Sequence, residues 1–237
     1  MRTRTHTRLL LAAVTLILSL ACGRSAPQAE GSTRQTLKAR LGAQGVAPGS
    51  PVYLRIFKEE AELEVWMPTE TAWVQVGTWP VCRYSGELDP KLAEGDGQSP
   101  EGFYAVPPGM MNPHSRFHLA FNLGFPNAYD RDKGRTGSFL MVHGGCASIG
   151  CYAMTDDGIE EIYGLADAAH RGGQAAFPVH IFPFRMTVAN LRRHASSRWI
   201  EFWRDLQKGY LLFEKEKRPP HIEVRGGRYE VTSGLSR

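Results

Sequence analysis

FLMVHGGCASIGCYAM, residues 139–154, is the stretch on which the rest of the chain turns. Phe139-Leu140-Met141-Val142 is a short apolar run, of the length and kind that makes a buried strand. The run breaks at His143-Gly144-Gly145 and closes on Ser148-Ile149-Gly150-Cys151. A strand that ends in a histidine, followed by a glycine-bearing loop and a cysteine, brings a thiol and a base together. Cysteine attacks as thiolate, and a nearby imidazole takes its proton. Gly150 lets the backbone turn tightly, so that N–H groups at Gly150 and Cys151 point at a developing oxyanion. Ser148 and Gly144 belong to the same support. Cys151 is therefore the expected nucleophile and His143 its base, with a backbone carbonyl of the Gly144–Ser148 loop orienting the ring. Their ion pair predicts that Cys151 alkylates readily near pH 6, where an unperturbed thiol is almost silent.

Three other readings of these residues stand beside that one. Cys151 is a packed cysteine in a structural turn, since free cysteine is among the most buried residue types. Or His143, Cys146 and Cys151 bind a metal, with His114 or His118 as a fourth ligand, although no CxxC pair is present. Or Cys146 is held in a disulfide.

HGGCASIGCYAM resembles the active-site signature of the L,D-transpeptidase catalytic domain, the YkuD-like family, whose general form is HG followed by SxGC. It is more similar still to the YafK-like branch. Further pieces agree in order: Trp79-Pro80-Val81-Cys82, Ser85-Gly86, residues 95–104 (GDGQSPEGFY), Asn112-Pro113, Phe125-Pro126-Asn127 and Arg135-Thr136-Gly137. Together they span about Val52 to Met186. The chain departs from the common form in two ways. Tyr152-Ala153 follow the cysteine where an arginine usually stands two residues on, and His143 and Cys151 are eight residues apart.

The resemblance implies a mainly β catalytic domain with flanking helices, an α+β chain built on an L,D-transpeptidase-like β-sandwich. It implies a cysteine acyltransferase that acts on peptidoglycan stem peptides through a thioester, in cell wall cross-linking and cell shape. The alternative within the resemblance is an L,D-endopeptidase or carboxypeptidase that hydrolyses the same bonds, for example releasing a wall-attached lipoprotein. A wall-binding module without turnover is the alternative outside it. No cofactor and no metal are implied. Arg135 is the first candidate to meet a substrate carboxylate, with Asn122 and Tyr104 as further substrate contacts.

Outward from this stretch, the 237 residues divide into four parts. Residues 1–22 read as a signal peptide: Arg2, Arg4 and Arg8 precede an apolar segment from Leu9 to Leu20, then small residues. Cys22 makes a lipoprotein signal one reading, with a lipid anchor as the only membrane attachment; ordinary cleavage is the other. Either way the expected location is the periplasm. Without those three arginines the balance falls from 28 basic against 24 acidic side chains to 25 against 24. That leaves no clustered basic face for nucleic acid. In an oxidising compartment Cys82 and Cys146 remain as a pair, bridged or separately packed; spacing does not decide.

Residues 23–50 read as a tether with a short helix near Thr33–Leu41. Residues 51–187 are the expected catalytic domain. Alternating apolar residues predict strands over 52–57 and 62–67, then 72–76, 79–82, 103–106 and 118–123. Residues 85–102 and 125–137 read as loops, the first a solvated connection in which Asp89, Glu94 and Asp96 face water. Thr155-Asp156 predicts a helix cap before Ile159, Ile162, Tyr163, Ala166 and Ala169, and Gly172-Gly173 ends that helix. A strand over 179–184 follows. Residues 188–237 form a helical C-terminal extension, with Thr187 as a cap and Trp199, Phe202, Trp203 and Leu206 as an apolar stripe.

Overall fold

The computed structural model describes residues 36–234. The signal segment, Cys22 and residues 23–35 of the tether lie outside them. Among the described residues no helix is long and apolar enough to cross a membrane.

Two sheets share the main core. The larger has the order β3-β2-β1-β9-β4, formed by β1 (Tyr53–Phe57), β2 (Glu62–Pro68), β3 (Trp73–Pro80), β4 (Gly102–Val106) and β9 (Phe177–Phe182). Its centre is the parallel pair β1–β9, in which Leu54 faces Val179 and Ile56 faces Ile181. The smaller has the order β5-β6-β7-β8, formed by β5 (Met111–Ser115), β6 (His118–Asn122), β7 (Met141–His143) and β8 (Tyr152–Ala153). Leu54, Val65 and Val179 from one sheet and Phe121, Val142 and Tyr152 from the other fill the same apolar cluster. The chain is thus α+β, with mixed sheets and flanking helices. The stretches expected at 72–76 and 79–82 are one continuous strand, β3, irregular where Val65/Trp66 of β2 pair with it.

Helix α1 (Leu37–Ala43) lies within the stretch read as a tether, and there Leu41 and Val46 join the main core. Helix α2 (Ala128–Asp132) occupies the expected 125–137 loop and is nucleated by Asn127, whose side chain and that of Asp130 bond reciprocally to backbone N–H groups. Helix α3 (Asp156–Arg171) begins where expected: Thr155 Oγ accepts the Gly158 N–H at 3.1 Å. Ile159, Ile162, Leu165, Ala166 and Ala169 form its buried face, and Asp156 and Asp157 occupy the positive end of its dipole.

After β9 the chain forms α4 (Val188–Arg193), capped by Thr187, and α5 (Ile200–Glu216). Phe202, Trp203, Leu206 and Tyr210 of α5 pack with Phe57 and Phe182 in a second apolar cluster. A hairpin of β10 (His221–Arg225) and β11 (Arg228–Thr232) ends the described chain, where the sequence shows only a short strand or loop.

Candidate active site

Pairing in the small sheet aims the two expected catalytic residues. β7 and β8 are parallel, with Val142 beside Tyr152 and His143 beside Ala153. Val142 and Tyr152 point into the core. Because strand side chains alternate, His143 and Cys151 fall together on the opposite face. Parallel neighbours normally need a long crossover. Here the strands are three and two residues long, so the short segment from Gly144 to Cys151 suffices.

That segment is held from several sides. The Gly144 N–H donates to the Phe117 and Leu119 carbonyls at 3.0 and 3.2 Å. A Cβ on Gly144 would lie 2.6 Å from Asp156 Oδ1 and 3.0 Å from the Phe117 carbonyl, so no side chain fits. Gly145 donates to Asp156 Oδ1 at 2.8 Å. Cys82 and Cys146 are joined by a disulfide across 64 residues, with Cα atoms 5.3 Å apart. The bridge answers what spacing left open and removes Cys146 from any metal set. His118 is engaged by Glu160 at 2.7 Å, and His114 is exposed.

His143 is buried, with Phe117 against its ring at 4.8 Å. Nδ1 lies 2.6 Å from the Gly144 carbonyl, which only accepts. Nδ1 therefore carries the proton, and Nε2 has its lone pair free. Cys151 Sγ accepts from the Met141 N–H at 3.4 Å and lies 3.6 Å from the Phe139 carbonyl. Both residues line one cleft of about 410 Å³ with Phe117, Ser148, Ile149 and Arg83. Among the described residues Sγ and the imidazole share no hydrogen bond, as is common before substrate binds.

The electrostatics correct the expected thiolate–imidazolium pair. Burial pushes the Cys151 thiol up, against weaker opposing effects of the Met141 N–H and Lys91. Burial pulls His143 below the usual imidazole range, its bond to Gly144 acting the other way. Both shifts favour neutral thiol beside neutral imidazole, because no carboxylate is present to hold a charge on the ring.

The oxyanion support also differs from expectation. The Gly150 N–H donates to Ser85 Oγ and is not free. At φ +105° this position suits glycine. The Cys151 N–H has no hydrogen-bond partner among the described residues. Its own carbonyl accepts from Ser148 Oγ at 2.7 Å and from Ser99 Oγ at 2.9 Å. The resemblance includes Ser85 and Ser99, but no site role was expected of them, because sequence position does not show that the 85–102 loop packs on the Cys151 turn. That loop is solvated over Leu92–Asp96, as expected, but Pro90, Lys91 and residues 98–102 are buried. Fully buried Lys58 donates to the carbonyls of Glu87, Asp89 and Ser99 and to Glu101 Oε1 at 3.0 Å. Asp96 is exposed, as expected, and also pairs with Lys91 at 2.6 Å and accepts from three backbone N–H groups.

The expected substrate contacts are elsewhere. Arg135 is buried, 2.8 Å from Asp130 and against the Phe202 and Tyr129 rings. Tyr104 donates to the same carboxylate at 3.1 Å. Asn122 accepts the Gly124 N–H in a turn at 2.9 Å. Arg135 and Tyr104 hold α2 and α5 in place, because an arginine in a loop also serves as the cation of a buried pair. None of the three lines the cleft.

No family model matches the chain. The protein named "Putative L,D-transpeptidase YafK" of Escherichia coli is 48% identical over 188 residues, 79% of this chain and 76% of that protein. Among solved structures, the helical cell shape determining protein Pgp2 from Campylobacter jejuni aligns with TM-score 0.43 and 17% identity over 81% of each chain. Bdellovibrio bacteriovorus Bd1075 aligns with TM-score 0.39 and 21% identity, over 72% of this chain and 66% of that one.

Proposed function

The chain belongs to the YafK family, and on that premise we propose that it is a cysteine-dependent L,D-transpeptidase of peptidoglycan stem peptides. One observation carries the reading: the Nδ1–H of His143 is committed to Gly144, so Nε2 is a ready base on the face and in the cleft that hold Cys151. As Sγ attacks the carbonyl of the diamino acid, at its bond to the next residue, Nε2 takes the thiol proton. A neutral imidazole is the form that does this, and its lowered pKa keeps it neutral. The Cys151 N–H is the backbone donor left to meet the oxyanion. The C–N bond then breaks, the imidazolium proton passes to the leaving amine, and a thioester remains on Cys151. An amine resolves it to a cross-link; water resolves it as an L,D-endopeptidase or carboxypeptidase would.

Ser85, Ser99 and Ser148 act through the backbone, fixing the turn on which Sγ is carried. The Cys82–Cys146 bridge favours an oxidising compartment and so supports export to the periplasm, with residues 1–22 as signal and Cys22 as a lipid-anchor candidate. The proposed catalytic unit is 51–187, with 188–237 as its extension.

Incubation of the protein with defined muropeptides, with and without an acceptor stem, followed by mass spectrometry of protein and products, tests the proposal. The expected result is a Cys151 adduct and an acceptor-dependent cross-link. Hydrolysed products alone, with the adduct present, assign the peptidase reading. Absence of any adduct on an alkylatable Cys151 overturns both.

A further inference from the structure

Among the described residues Arg83 is the only Lys, Arg, Asp or Glu that lines the cleft holding Cys151 and His143. Two features separate it from an ordinary surface arginine. First, its backbone is fixed. The Arg83 N–H donates to the Ala153 carbonyl at 3.1 Å, and the Ala153 N–H returns a bond at 2.8 Å. Its neighbour Cys82 is bridged to Cys146 on the nucleophile loop. Second, its guanidinium is exposed and has no carboxylate partner among the described residues. Arg116, Arg192, Arg218 and Arg228 have no carboxylate partner among the described residues either, but none of them lines the cleft, so only in Arg83 do a free guanidinium and a fixed backbone meet at Cys151. An arginine on so rigid a support gains nothing for the fold by leaving its five donors to water.

The cleft around it selects for an anion. Phe117 and Ile149 supply apolar wall, and no acidic side chain lines it. A cation beside low-dielectric walls attracts a negative group more strongly than one in open water. A planar guanidinium matches a carboxylate bidentately. We propose that Arg83 is a specificity-determining residue that binds a free carboxylate of the substrate next to the scissile carbonyl. This rests on the stem-peptide reading above. Two carboxylates of such a peptide qualify: the C-terminal one, and the one on the side chain of the diamino acid.

Calorimetric titration of the full chain carrying Cys151→Ala tests this without turnover. The probes are a stem tetrapeptide with both carboxylates free and the two peptides with one or the other amidated. One amide is expected to bind about tenfold or more weakly than the acid, the scale of a charge-assisted hydrogen bond, and identifies the carboxylate read. Adding Arg83→Ala should weaken the acid by the same factor and abolish the difference; Arg83→Lys should keep part of it. No binding of the acid by the Arg83 protein, no loss on amidation, or a preference that survives Arg83→Ala each overturns the proposal. Turnover of the same peptides by the Cys151 protein is read separately. An acid bound through Arg83 yet left unprocessed sinks the catalytic reading and leaves Arg83 as the carboxylate site.

Discussion

Arg55 on β1 and Cys151 before β8 both sit largely out of water, yet one site keeps its charges and the other gives them up. At the first, Arg55 lies 2.7 Å from Glu64 and 2.6 Å from Glu214, while Arg185 reaches Glu64 at 2.7 Å. Burial alone would raise the Glu64 carboxyl, but Arg55, Trp66 and Arg185 together hold it below the usual range. At the second, the imidazole has a carbonyl for a partner and the thiol a single backbone N–H, so burial prevails in both groups. The number of charged partners is what separates these two sites: Arg55 and Arg185 offset burial at Glu64, and none does so at His143. A fully paired cluster is inert and braces β1, β2 and α5; a pair left neutral in a cleft stays available for chemistry.

The largest expected effect lies on the reactive side. Cys151→Ala should abolish the thioester, and His143→Ala should cut kcat/KM by about 10²–10⁴, the range for a general base. Thermal midpoints should move little. A His143→Ala protein that keeps most of its rate would break the pairing. Next, on the paired side, Arg55→Ala should lower stability by about 3–5 kcal/mol in urea unfolding, because Glu64 and Glu214 lose a buried partner. Iodoacetamide modification of Cys151 should not change. A loss below about 1 kcal/mol would mean that the cluster is no more than a surface ion pair.

The pH response sharpens the contrast further. A raised thiol pKa leaves Cys151 mostly protonated at neutral pH, so its alkylation should inflect above the ~8.5 of an ordinary thiol. A lowered imidazole pKa keeps His143 neutral below ~6.5, so the acid limb of kcat/KM should fall below that value. An alkylation inflection under pH 7 in the free protein would restore the ion pair expected from the sequence.

The smallest effect concerns strain. Phe139 has φ +53°, a conformation that costs a side chain about 1–2 kcal/mol, and is 72% exposed, so no packing offsets that cost. Its carbonyl lies 3.6 Å from Cys151 Sγ. Phe139→Gly should raise stability by about 1 kcal/mol, read as a higher unfolding midpoint. A drop would mean that the ring packs in the folded state.

Much of the fold was readable from local pattern. Alternation in 52–57 and 62–67 marks strands because one face of each is buried, and Thr155 and Thr187 mark helix starts because their hydroxyls satisfy orphan N–H groups. The placement of His143 and Cys151 on one face followed from the same alternation once β7 and β8 were paired. Short elements were less visible. β5 and β8 depend on neighbours more than on their own residues, as does the final hairpin, while α2 rests on the local Asn127–Asp130 capping box but is only five residues long.

The sequence by itself determined the family, most of the strands and the capped helices, because each is written in residues close together along the chain. At Phe139 the expected buried strand is absent, since β7 begins at Met141. Tertiary structure alone decided that Cys82 meets Cys146, that Lys58 gathers the 85–102 loop, that Arg135 is buried while Arg83 lines the cleft, and that burial shifts the thiol pKa up and the imidazole pKa down. Those outcomes depend on which groups stand within a few ångströms after folding and on how much water is left between them. Sequence spacing carries neither quantity.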